Sequence, residues 1–198
     1  MIAASNYRDY IPEASISHVD SLMLNYGIAL KIVNQRQTKH GDFRRSPSGK
    51  MQITVNNNLN PEQFIITLIH EIAHYVTFKN YGRVQPHGTK WKQTFQQLML
   101  PILNPDVFPD HILHLLAKHL KNPKASTDSD PKLSLALKNG LSSEGMKFVH
   151  ELNLGTIFEY KNQQYKRGKI RRTRIECLNL SNKRVYLFHQ NAEVKVIS

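Results

Sequence analysis

The residues that speak most directly of chemistry are His70-Glu71-Ile72-Ala73-His74. Two histidines four positions apart on a helix lie ~40° apart around its axis, one turn above the other, so both imidazoles can reach one ion. Neutral imidazole nitrogens suit Zn2+, which favours tetrahedral coordination. Glu71 follows His70 by one position and projects beside the ion, where it can take a proton from a water held there. This H-E-x-x-H order is the one that pairs a zinc site with a general base in metal-dependent peptide hydrolysis. The competing reading is a helix with two histidines satisfied by their neighbours.

A catalytic zinc keeps one position open and therefore needs a third protein ligand. His87 is the best candidate: it follows a turn containing Gly82 and precedes Gly88, so the chain can fold back after the helix. Its rivals are His111, His114 and His119. His111 and His114 share an i, i+3 spacing, but they sit in an Ile112, Leu115, Leu116 helical pattern and read as rim or surface residues. No acidic residue occurs between Glu71 and Asp106 to supply a carboxylate ligand. No donor to meet negative charge on a reacting carbonyl stands out in the sequence; Tyr75, Tyr81 and Arg83 are the residues near enough to consider.

The elements that must position these residues follow from patterning. Ile16, Val19, Leu22, Met23 and Tyr26 recur at helical spacing, and Gly27 ends that helix. Ile28 to Gln35 and Lys50 to Val55 alternate as strands, with a polar, turn-rich stretch from Gly41 to Gly49 between them. Asn60-Pro61 caps and opens the histidine-bearing helix, whose apolar positions from Phe64 to Val76 predict a central, buried element ending before Gly82. Further helices are expected over Thr89 to Met99 and Pro109 to Leu120. Asn122 to Asn139 mixes Pro, Ser, Asp and Lys and reads as a linker. Short strands then follow at Phe148-Val149, Ile157 to Tyr160, Arg172 to Leu178, Arg184 to Phe188 and Val194 to Ile197. The expected fold class is α+β, with a metal-binding domain at 1–121, a linker at 122–140 and a small, basic antiparallel β module at 141–198.

Composition adds a second theme. Lys and Arg number 27 against 15 Asp and Glu, a net charge of +12. Lys161 to Arg174 holds seven cations and no acid, with Tyr160 and Tyr165 interleaved. Lys166, Arg167, Lys169, Arg171, Arg172 and Arg174 could neutralise phosphates while exposed tyrosines stack on unpaired bases. The alternative is a solubilising edge that blocks strand addition. One cysteine, Cys177, excludes an intramolecular disulfide and a four-cysteine zinc module. No apolar run reaches the ~18 residues of a membrane span, and the first residues lack the pattern of a secretory signal, so a cytoplasmic monomer without membrane contact is the default expectation.

Ile53-Thr54-Val55-Asn56, Phe64-x-x-Thr67-Leu68-Ile69-His70-Glu71-Ile72-Ala73-His74 and His87-Gly88-x-x-Trp91 resemble the SprT-like metallopeptidase family, which includes the DNA–protein crosslink protease Spartan. Leu30 to Arg44, with Thr38-x-x-Gly41-Asp42-Phe43-Arg44, is similar to the strand and turn of that family. The likeness covers about Ser15 to Leu120. It implies a minimal zincin-like metallopeptidase domain holding one Zn2+ per chain on His70, His74 and His87, with Glu71 catalytic and Trp91 a packing residue. It further implies a protein substrate, a DNA partner (single-stranded or damaged), a role in DNA repair and a nucleoid association. Many members carry a C-terminal zinc ribbon with four cysteines; with Cys177 alone, the β module is expected to be a metal-free relic of it. Two other readings are a nucleic-acid-binding protein with a structural zinc, and a regulatory protease with one protein target for which DNA is dispensable.

Overall fold

The computed structural model of the chain describes residues 6–138, 146–172 and 174–197. Expectations resting on residues 1–5, 139–145, 173 and 198 lie outside the described residues. The chain divides into two compact units, Met1–Ala125 and Ser126–Ser198. Among the described residues it is a mixed α and β protein with five α-helices and two sheets.

The first unit begins with α1 (Ile16–Tyr26), which ends where Gly27 takes a left-handed backbone, φ 62°. Three strands follow: β1 (Leu30–Val33), β2 (Gly41–Arg45) and β3 (Met51–Asn56). They form one sheet in the order β1-β3-β2, with β1 parallel and β2 antiparallel to β3. The stretch expected to be a turn therefore contains a strand. Gly41-Asp42-Phe43-Arg44-Arg45 has a single large apolar residue, so no alternation marks it. Backbone pairing to β3 makes it a strand, helped by Phe43 packing edge-on against Tyr75 of the next helix at 5.8 Å.

That helix, α2 (Pro61–Tyr81), is the centre of the unit. The Asn60 side chain accepts from the Gln63 N–H at 2.8 Å, and Pro61 opens the helix where a missing N–H costs nothing. Phe64, Ile65, Leu68, Ile69, Ile72 and Ala73 are all fully buried, the helix packing on β2 and β3 and on the helix that follows it. A helix apolar over most of its circumference has to be enclosed in this way. Truncating Leu68 to alanine would cost ~2–5 kcal/mol. α3 (Thr89–Met99) buries Trp91, Phe95 and Met99, and α4 (Asp110–Leu120) buries Ile112 and Leu116.

The second unit starts inside the stretch expected to be a linker. Helix α5 (Pro131–Leu137) is capped by the Asp130 side chain and buries Leu133 and Leu137 completely. The spacing of those two leucines is helical, but the surrounding Pro, Ser, Asp and Lys hide it. The unit's sheet runs β4 (Lys147–Phe148), β9 (Glu193–Val196), β5 (Ile157–Tyr160), β6 (Gln163–Arg171), β7 (Arg174–Asn179), β8 (Val185–His189), every pair antiparallel. Phe158, Tyr165, Ile175, Cys177, Phe188 and Val194 form its core with Val149 and Leu152. β6 escapes the sequence patterning because only Tyr165 of its nine residues is buried. No helix among the described residues is long and apolar enough to cross a membrane.

Candidate metal centre

The site grows from the middle of α2. Its buried face fixes the rotation of the helix, and that rotation brings His70 and His74 out on one side. The chain then turns at Gly82, φ 68°, and returns through residues 83–86. His87 adopts a left-handed backbone, φ 57°, which L-residues with a Cβ rarely adopt. Gly88 closes this turn by donating its N–H to the Gln85 carbonyl at 3.1 Å. A Cβ on Gly88 would stand 3.0 Å from that same oxygen, so glycine keeps the turn tight.

The three Nε2 atoms lie 3.2, 3.0 and 3.2 Å apart for the pairs His70–His74, His74–His87 and His87–His70. A neutral imidazole nitrogen is either a donor or an acceptor, so hydrogen bonds cannot satisfy all three edges of this triangle. Three lone pairs converging on one point can be satisfied together by a cation. Tetrahedral zinc with nitrogens at 2.0–2.1 Å places them ~3.3 Å apart, close to the observed spacing. Burial, reinforced by the neighbouring imidazoles, pushes His70 down to about 2 and His74 to about 4. Burial also lowers His87. All three are thus held neutral, the form that ligates metal. No other group of histidine, cysteine or carboxylate side chains among the described residues converges in this way. His111 and His114 are exposed on α4, whereas His119 is buried there and its charge would disfavour protonation of His70.

Trp91 is the floor of the triangle. It is 1% exposed, with ring centroids 4.6, 5.2 and 4.6 Å from His70, His74 and His87, and it stacks on Phe95 at 5.0 Å. Glu71 stands beside the triangle, 7% exposed, against strand β2. The Phe43 backbone N–H donates to its carboxylate. Burial raises Glu71 to about 8, aided by the charge of Asp42, while the Phe43 N–H, Arg36 and Lys39 offset part of the rise. A dication in the triangle favours its ionised form. For Asp42, burial acts upward, but Lys39 at 2.8 Å and Arg44 outweigh it and hold the carboxyl below its usual range.

These groups open on a cavity of about 440 Å³, lined also by Gly41, Phe43, Thr77, Phe78 and Arg83. Of the three candidates for the carbonyl side, Tyr75 is committed elsewhere, donating its hydroxyl to the Tyr26 carbonyl at 2.9 Å. Tyr81 is half-exposed under Lys90, 4.8 Å from its ring. Arg83 lines the cavity. Gly41 and the Phe43 N–H are contributions to the site that the sequence reading assigns no role. The local trace of them in the sequence is the Thr38-x-x-Gly41-Asp42-Phe43-Arg44 stretch, which carries no strand alternation.

The basic residues of the second unit lie on β6, its turn and the start of β7. Lys166, Lys169, Arg171, Arg172 and Arg174 are exposed. The register sets Lys166 opposite Leu178 and Arg171 opposite Arg174, so Lys166, Arg171 and Arg174 share one face. Arg167 stands opposite Cys177 on the other face, half-buried, with one guanidinium N–H donating to the Gly168 carbonyl at 2.9 Å. Tyr165 is not the exposed stacking platform expected. It is 6% exposed because β6 turns it inward onto Phe158 and Phe188, 5.7 and 4.9 Å away.

The SprT-like family model matches residues 24–110, less than half of the chain, and over that span the chain is similar to that family. Protein SprT of Vibrio parahaemolyticus is 42% identical over 40 residues, which are 20% of this chain and 24% of that protein. Protein SprT of Escherichia coli is 42% identical over 41 residues, 20% of this chain and 25% of that protein. The match thus spans about a quarter of the length of these curated relatives. No solved structure matches the chain.

Proposed function

We propose that this SprT-like chain is a zinc-dependent endopeptidase with a zincin-like first unit, in which His70, His74 and His87 hold one Zn2+ and Glu71 is the general base. The observation that carries the reading is the triangle of three Nε2 atoms 3.0 to 3.2 Å apart, with a buried carboxyl group beside it and an open cavity in front. Zinc, when bound, lowers the pKa of a water and polarises the scissile carbonyl. Glu71 takes the proton of the attacking water and delivers it to the leaving amide nitrogen. Trp91 keeps solvent away from the ligands on the protein side. Arg83, the one cation among the residues lining the cavity, is the candidate to face charge developing on the carbonyl oxygen.

A peptide as substrate is supported by β2. It ends its sheet, and its pairing to β3 through the Asn56 N–H to His40 carbonyl bond turns the backbone groups of residues 41, 43 and 45 away from β3. An extended peptide can add beside the metal to the groups of that edge other than the Phe43 N–H, which Glu71 already holds. The basic face of β6 and β7 supports targets associated with or crosslinked to DNA. The test is cleavage of casein and histone by zinc-loaded protein, with and without single-stranded DNA, for wild type and Glu71→Gln. Loss of cleavage with zinc retained in Glu71→Gln is expected; intact cleavage sinks the general-base reading. A structural zinc in a nucleic-acid-binding protein predicts instead that Glu71→Gln changes nothing. The open side of the triangle favours catalysis, because structural zinc sites are closed by a fourth protein ligand.

A further inference from the structure

We propose that strand β2 aims the general base, and that Gly41 is a positioning residue because its missing side chain is the space in which the Glu71 carboxylate stands. The inference rests on the reading of Glu71 as base and deepens it. A Cβ at position 41 would lie 2.7 Å from Glu71 Oε1, 2.8 Å from Glu71 Cγ and 2.8 Å from Thr67 Cγ2. All three distances fall below what carbon atoms tolerate, so something must move if a methyl is added.

Thr67 is held. It is buried on α2, its hydroxyl donates to the Gln63 carbonyl at 2.7 Å, and its branched Cβ stiffens χ1. The sheet is held too, through five paired positions between β2 and β3. Glu71 is the flexible partner, with three side-chain torsions and a single strand-side anchor, the Phe43 N–H. Gly41 and Phe43 are two apart on one strand, so their side-chain positions share one face and their outward N–H groups one edge; the first provides room and the second a donor. The carboxylate is thereby gripped between α2 and β2 at a fixed place beside the histidine triangle. A methyl on residue 41 displaces the carboxylate or lifts β2 from α2, and either change breaks the aim. The ligand nitrogens, borne on α2 and the His87 turn, keep their places.

The experiment compares zinc-loaded wild type, Glu71→Gln, Thr67→Ser, Gly41→Ala and the double variant Gly41→Ala/Thr67→Ser. The readings are zinc content, Tm, kcat and KM for a casein-derived fluorogenic peptide, and the Phe43 amide resonance. Gly41→Ala is expected to keep its zinc and its KM within about twofold while kcat falls roughly tenfold to a hundredfold. Its Phe43 amide is expected to move toward the position seen in Glu71→Gln. Thr67→Ser removes the methyl that crowds residue 41 from the other side, so it should recover Tm in the double variant without recovering kcat. The proposal is overturned if Gly41→Ala keeps kcat within twofold with its Phe43 amide unmoved, or if Thr67→Ser restores kcat together with Tm. If Gly41→Ala does not fold, the double variant is read against Thr67→Ser by the same criteria. If wild type cleaves nothing, the peptidase reading fails on its own, and the Phe43 amide still decides whether Gly41 sets the place of the carboxylate.

Discussion

The histidine triangle of the first unit and the cationic face of the second present opposite uses of ionisable side chains. His70, His74 and His87 are brought within 3.2 Å of each other, and burial strips them of protons. The cations of β6 and β7 stand on an open sheet, spread along two strands, with the Arg171–Glu176 contact at 3.5 Å among the few ties to an acid. In the first case geometry and desolvation create a place for a cation that no single residue offers. In the second the residues act as a summed field, which water and salt weaken. Substitutions in the triangle should therefore act all-or-none, and those on the sheet by increments.

The largest effect expected is from His70→Ala, His74→Ala or His87→Ala: metal analysis should fall from one zinc per chain to near none, and proteolysis with it. A variant that loses one histidine yet keeps stoichiometric zinc would break the contrast. Glu71→Gln comes next, with zinc retained and kcat down ~10²–10⁴-fold.

The metal-free protein sharpens the comparison through pH. Glu71 is raised to about 8 from 4.5, so the stability it allows is full below 4.5 and lost as pH rises through 8. The histidines are lowered from 6.5, so their contribution is full above 6.5 and lost as pH falls toward their folded values. In chelator, Glu71→Gln removes the alkaline loss alone. Its Tm advantage over wild type should grow by several degrees between pH 5 and pH 9; an equal difference at both would count against the buried carboxylate. The smallest structural effect belongs to Arg171→Glu/Arg172→Glu/Arg174→Glu. Its Tm and zinc content should match wild type, since exposed substitutions usually change stability by less than ~0.5 kcal/mol. Single-stranded DNA binding at low salt should be lost, and binding unchanged by charge reversal would remove DNA from the proposed function.

Much of the first unit is legible along the chain. The Asn60 cap, the Pro61 start, the apolar face and the Gly82 stop all act within a turn or two of α2, so spacing alone carries them. β2 and β6 are less legible because their residues are mostly polar and owe their conformation to partners distant in sequence, and α5 because the Pro, Ser, Asp and Lys around it mask its leucines. Tyr165 shows the same limit: its type suits a stacking surface, but which face of β6 turns inward is decided by Phe158 on the adjacent β5 and Phe188 on β8, two strands away.

By itself the sequence determined a helix that presents His70 and His74 together with Glu71 beside them, because i, i+4 geometry is local and needs no partner. Only the tertiary structure decided that His87 completes the triangle while His111 and His114 remain outside, since a left-handed turn and the rotation of α2 had to be set against each other. It also decided where the carboxylate points. Residues 41 and 71 meet because a sheet edge packs on a helix, and steric exclusion between them is a fact of that packing alone.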